Sequence, residues 1–298
     1  MAIRSKVLQP PTKKVVQSLD IDAGGQHLVA GQNHLTVWNL KTRKLVHEFK
    51  VGSGDNVLWA RWSPDGTKVA FVDTGNRFRF FELETGDARA VELEDADAGW
   101  LDYARDRDRV LVAGRRVQVW DEEKQKVVWV APGKESKRED PPIGCLSPDG
   151  GTAAIVGAEP GKVLLYKVGG KRVQKQLDDG PKSARWIGFD PKMRYVACLE
   201  YHAHGFFVWD LKTGKRHLPE TFNDEVTVFW SARFDPSGKR LALGTLGGAV
   251  WVQKLKDGEL VYDEKEHKRR VWDVAFTPDG TQVFSGGDDY TLRFRKLP

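Results

Sequence analysis

The chain has 298 residues, 40% of them hydrophobic and 30% charged, a balance that excludes an intrinsically disordered protein. Its formal charge is +5, but both signs are spread along the whole length, so there is no basic arm of the kind that grips nucleic acid. No apolar run approaches the roughly eighteen residues of a membrane-spanning helix, and two cysteines, Cys145 and Cys198, are too few for a disulfide framework.

Taken from its start, the chain opens on IRSKVLQ (3–9), a stretch with the length and character of one strand. MAIRSKVLQPPTKK has no apolar centre of a secretory signal, and no Asn-x-Ser/Thr acceptor occurs, so the cytoplasm is the expected compartment. From about residue 14 the chain repeats itself. The first unit closes a hairpin at DAGG (22–25), ends its third strand at Trp38, and turns through LKTRK (40–44) into KLVHEF (44–49). The second has SPDG (63–66) between LWARW and KVAFV, then Phe81 and LETGD (83–87). ARDR (104–107) and Trp120 mark the third unit, SPDG (147–150) and Tyr166 the fourth. DPKM (190–193), Trp209 and LKTGK (211–215) mark the fifth; DPSG (235–238), Gln253 and LKDGE (255–259) mark the sixth. The seventh runs through RVWDVAF, TPDG (277–280) and TQVFSG to Arg295.

Each tetrapeptide is a tight turn by its chemistry. Proline presets φ at the second position, aspartate tolerates the bridge region, and glycine takes φ > 0. Alternating apolar runs on either side make each turn the centre of a β-hairpin. The last residues of the seven turns, 25, 66, 107, 150, 193, 238 and 280, lie 41 to 45 apart. Seven units of about 42 residues, each four short strands, predict an all-β, seven-bladed β-propeller spanning 1–298 as one domain. Kelch-type blades are nearer fifty residues, which disfavours that alternative. The seventh unit lacks a fourth strand, so residues 3–9 are expected to pair antiparallel with 291–297 as its outer strand and leave no open edge.

The VWNL, VWDE and VWDL segments at 37–40, 119–122 and 208–211 resemble the WD signature, and VWDVAFTPDGTQVFSGGDDYTLRF resembles a WD-repeat consensus unit. The resemblance covers essentially the whole chain from residue 14 and implies a WD-repeat (WD40) propeller. The family's structural tetrad of His, Ser/Thr, Asp and Trp would be met in the last unit by His267, Ser285 and Asp289, with Arg295 where tryptophan belongs. Most other units keep the aromatic and lack the histidine, leaving aromatic packing as the main glue between their strands.

No active site is read from the sequence. GAEPGK (157–162) has three residues between its glycines where a phosphate loop has four, and Val163 follows its lysine, so it is a hairpin turn. His202 and His204 could face one way and hold a metal, but no cysteine or acidic cluster of recognisable spacing joins them. No metal or cofactor is expected, and the two cysteines are read as buried free thiols. Trp59, Trp100 and Trp186 share one slot of the innermost strand and are assigned to packing between blades. One residue earlier stand Gln17, Leu58, Gly99, Pro142, Arg185, Trp230 and Trp272, a slot that varies from blade to blade near the channel mouth. The basic runs KEHKRR (265–270) and KESKR (134–138) precede blades 7 and 4, either as solvated loop charge or as an anion-binding rim. Trp230, Trp272 and Arg185, rimmed by Arg269 and Arg270, are the candidate partner-binding residues. The function expected is a monomeric, non-catalytic scaffold holding a protein or peptide segment, acidic or phosphorylated, on this face. A small-ligand or enzymatic propeller and a nucleic-acid module using basic loops are the alternatives.

Overall fold

In the computed structural model, described over residues 6–93, 98–133, 135–136, 141–201, 206–217 and 227–298, six of the seven tetrapeptide turns share one backbone, with positive φ at the last residue; the exception is ARDR (104–107), whose Arg107 does not take positive φ. Gly66, Gly150 and Gly280 lie at φ +70°, +65° and +68°. Ser63, Ser147 and Thr277 donate to the aspartate two residues on, each at 2.5 Å. In the fifth turn the slot belongs to Met193, which takes φ +54° without being glycine.

The hairpins built on these turns make seven antiparallel sheets among the described residues. Blade 1 is typical, with strands Ser18–Ile21, His27–Gly31, His34–Asn39 and Lys44–Lys50 ordered from the axis outward. The innermost strands of the other blades are Val57–Trp62, Trp100–Tyr103, Ile143–Leu146, Ala184–Phe189, Phe229–Phe234 and Val271–Phe276. Each packs against the next, and the seventh against the first, which closes the ring. Blade 5 shows three strands plus a bridge, Trp209 to Arg216, where its outer strand would start; residues 218–226 are outside the described part. Blade 7 is completed by the N-terminal segment. Strand Lys6–Leu8 lies antiparallel to Leu292–Lys296, with Lys6 opposite Phe294 and Leu8 opposite Leu292. Residues 3–5 of the expected latch fall outside the described residues.

The core is the set of seams between blades. Second strands are buried on both faces, since each blade has neighbours on either side: Leu28, Val29 and Ala30 in blade 1, and Val196, Ala197 and Cys198 in blade 5, have no exposed surface. Cys145 and Cys198 are free, and burial pushes both thiols well above their ordinary pKa. Trp100 and Trp186 are buried, and Trp59 stands with its ring centroid 4.3 Å from that of Trp100, the packing role the repeated slot predicted. Gly188 answers to Trp186, because a Cβ there would lie 2.7 Å from the indole.

The aromatic marker at the third-strand end is buried in blades 1 to 5. In blade 7, Arg295 holds the place differently. Its guanidinium pairs with Glu266 at 3.0 Å and lies 5.1 Å over the Tyr262 ring. Behind it the rest of the tetrad forms: His267 donates from Nδ1 to Asp289 at 2.8 Å and accepts at Nε2 from Ser285 at 2.8 Å. Burial pushes the Asp289 carboxyl up, but the hydrogen bonds it accepts from His267, Thr291 and the Lys268 backbone N–H outweigh it and hold the group far below the ordinary carboxylate range.

Candidate functional site

In four blades the first two strands slip register at the variable slot. The shift falls between Val57 and Trp59, Ala184 and Trp186, Phe229 and Ser231, and Val271 and Asp273. Leu58, Arg185, Trp230 and Trp272 are therefore the extra residues of β-bulges. A bulge leaves one residue unpaired and re-aims its side chain. All four are half-buried, while their strand neighbours Val57, Ala184, Phe229 and Val271 are buried.

The consequence is one stack at the loop face of the channel. Trp230 and Trp272, from blades 6 and 7, meet edge-on with ring centroids 5.4 Å apart. Arg185, from blade 5, lies 3.8 Å over the Trp230 ring, and Arg270 lies 3.7 Å over Trp230 and 4.7 Å over Trp272. A guanidinium over an indole face is attracted by the ring quadrupole, by about 0.5–2 kcal/mol depending on desolvation. Arg185 is anchored by the Glu200 carbonyl at 3.0 Å and by the Tyr201 carbonyl. Burial, together with the neighbouring charge of Arg270, pushes its pKa down to about 10 although the Tyr201 side chain acts in the opposite direction. Arg185 Nη1 and Arg270 Nε are buried and have no hydrogen-bond acceptor, and among the described residues neither guanidinium forms an ion pair. Asp288 is engaged by Trp272 Nε1, which donates to it at 2.5 Å.

The loop that supplies Arg270 rests on Gly248, in the blade 6 hairpin. Gly248 has φ +94°, its carbonyl accepts from His267 N at 2.9 Å, and a Cβ there would fall 2.2 Å from the His267 carbonyl. Arg269 is exposed beside the stack and enters none of its ring contacts. Four of the five candidate residues thus come together, with the fifth on the rim. Lys134, Lys137 and Arg138 of the other basic run, and His202 and His204, lie outside the described residues. GAEPGK is the turn between Thr152–Val156 and Val163–Lys167. Among the described residues no three His, Cys, Asp or Glu side chains gather as a metal site would need.

A second set of polar residues was not anticipated. Two residues beyond the tryptophan slot stand Asp20, Arg61, Asp102 and Arg233, facing the channel with Asp273. Asp20 accepts from Trp62 N at 3.0 Å and Asp102 from Leu146 N at 2.9 Å, so each carboxylate ties its blade to the next. The signal was present as charge repeated at one strand position, two residues from a packing slot and hence on the same side.

With this geometry in view, similarity to known proteins agrees with the architecture. A family model described as "WD domain, G-beta repeat" matches residues 258–295, the end of blade 6 and nearly all of blade 7. Proteins named for WD repeats match more of the ring, among them WD repeat-containing protein 91 of Mus musculus, 22% identical over 78% of this chain and 29% of its own length. The repeat and the seven-bladed ring are similar to those of WD-repeat proteins. Other relatives are WD repeat-containing protein SL1-17 of Schistosoma mansoni, 25% identical over 48% of this chain and 46% of its own, and echinoderm microtubule-associated protein-like 2 of Mus musculus, 24% identical over 88% and 40%. The chain spans less than half the length of these relatives. WD-repeat propellers serve in general as protein-interaction scaffolds, and this ring has the architecture that role uses.

Proposed function

We propose that this propeller is a non-catalytic scaffold that docks an acidic or phosphorylated partner segment at the loop face of its channel. Arg185, Trp230, Arg270 and Trp272 form the seat and Arg269 its rim. The observation that carries the reading is the stack itself, in which two guanidiniums flank one indole with no carboxylate paired to either among the described residues. Trp and Arg combine large contact area with polar handles, which makes them frequent hot spots. An incoming carboxylate or phosphate would meet donors already desolvated and positioned.

The test is a pull-down with wild type, Trp272→Ala and Arg270→Ala, followed by affinity measurement on the captured partner. Trp272→Ala is expected to weaken binding by about 2 kcal/mol or more, with the melting temperature nearly unchanged because the side chain is half-buried. Arg270→Ala should weaken binding and flatten its salt dependence. A partner retained equally by both variants moves the docking surface elsewhere on the ring, and unfolding of Trp272→Ala assigns that residue to the core.

A further inference from the structure

The opposite end of the channel, where the tetrapeptide turns gather, holds a cavity of about 310 Å³. Ligand cavities of this size are typically apolar with a few fixed polar groups. Here Trp62, Phe189, Phe234 and Phe276 supply the apolar collar, and Arg61 and Arg233 supply charge. Arg61 is 4% exposed; its Nη1 donates to Asp273 at 3.2 Å and to the Ala60 carbonyl at 2.9 Å. Arg233 Nη2 stands 3.6 Å from the same Asp273 oxygen, outside hydrogen-bond range. Two guanidiniums therefore share one carboxylate. Arg61 Nε, Arg233 Nη2 and Trp62 Nε1 are all buried and lack an acceptor.

A third guanidinium faces the same space. Arg105 occupies the turn position that is Pro64, Pro148, Pro191, Pro236 and Pro278 in five other blades, and it lines the cavity from the rim. Four carboxylates also line the cavity: Asp20 and Asp102 each hold a backbone N–H of the next blade, Asp22 accepts from the backbone N–H groups of Gln26 and His27, and Asp106 stands close enough to Arg105 to act on its charge. Burial pushes the Asp102 carboxyl upward, toward its neutral form, against the pull of the Leu146 N–H and the nearby arginines. The unmet groups lining the cavity, among the described residues, are donors.

We propose that the turn-face cavity binds a small oxyanion, a molecule carrying a carboxylate or phosphate that Arg61, Arg105 and Arg233 receive. A guanidinium offers such a group several N–H donors in a fixed plane. The collar shields the pairing from bulk water and so strengthens it. This site lies at the other end of the channel from the proposed docking seat and does not depend on it.

The experiment is calorimetric titration and thermal melting of the full chain with sodium phosphate and with sodium succinate, each against sodium chloride at matched ionic strength. At about ten times its dissociation constant, a bound oxyanion should raise the melting temperature by about 3 °C. Arg105→Ala and Arg233→Ala should each weaken binding at least tenfold, whereas Lys256→Ala, in the exposed turn between the third and fourth strands of blade 6, should not. A response to phosphate alone or to succinate alone identifies which anion the site takes. Should Arg233→Ala fail to fold, Arg105→Ala decides, because it removes an exposed side chain from a turn. No shift beyond chloride for either anion, or binding undiminished in the variants that fold, overturns the proposal.

Discussion

Asp273 is the side chain on which most of the channel converges. It has no exposed surface, belongs to blade 7, accepts from Leu19 N of blade 1 at 3.1 Å, and pairs with Arg61 of blade 2 and Arg233 of blade 6. Breaking a buried pair costs more than never having built one, because the partner charge stays desolvated. Asp273→Asn keeps the shape and removes the charge that two guanidiniums share. It should lower unfolding free energy by about 3 kcal/mol, the lower end of the usual range, since Asp20 and Asp102 remain nearby. Urea denaturation measures this, and a loss under about 1 kcal/mol would mean that those two carboxylates suffice. The network was hard to foresee because alternate charged residues in a strand ordinarily face water. Only closure of the ring turns that side inward. The tryptophans in the same strands were easier to assign, since a large apolar residue repeated at one slot has few uses besides packing.

At the scale of single elements, the turns were the most legible part of the chain, because Pro, Asp and Gly act locally on φ. Even the degenerate fifth copy takes the shape of the glycine copies: Met193 sits at φ +54° with the Asp190 carboxylate accepting from Lys192, Arg194 and Tyr195 N–H groups. The carboxylate network holds the turn, and the methionine pays for the φ. Met193 is also exposed, so little packing is lost on removing it. Met193→Gly should therefore stabilise the protein by roughly 0.5–1 kcal/mol, the relief of left-handed strain less the extra freedom glycine gives the unfolded chain. A rise in melting temperature checks this, and a fall would show that the side chain packs more than its exposure suggests. The bulges were not legible. A bulge is a property of a strand pair, and one strand's sequence does not say where its partner slips. The variable slot could be located on the channel mouth, but the Arg–Trp–Arg stacking that makes it a candidate seat follows from the register shift.

For the whole molecule the decisive question is how a ring made from one chain stays shut. Two clasps cross the seam between blades 7 and 1. At the outer edge, Lys6–Leu8 completes blade 7, with Leu8 buried in a cluster that includes Trp38 of blade 1 and Phe294 of blade 7. At the axis, Asp273 accepts from Leu19 N while Arg61 donates to the Leu19 carbonyl at 3.3 Å. The outer clasp was legible as a strand without a partner at one end and a sheet short of a strand at the other; the inner one was not, for the reason given above. Deleting residues 1–9 removes a three-residue ladder and one buried leucine, about 2–4 kcal/mol together, which for a chain of this size is a fall of roughly 4–8 °C in melting temperature. It also bares Leu292–Lys296 as an edge, so light scattering on standing should rise. Because both clasps hold the same seam, the deletion combined with Asp273→Asn should cost more than the two losses added. A truncated chain that melts where the full chain does and stays monodisperse would mean that the inner clasp alone closes the ring. Strict additivity in the double variant would mean that each clasp stabilises only its own blade.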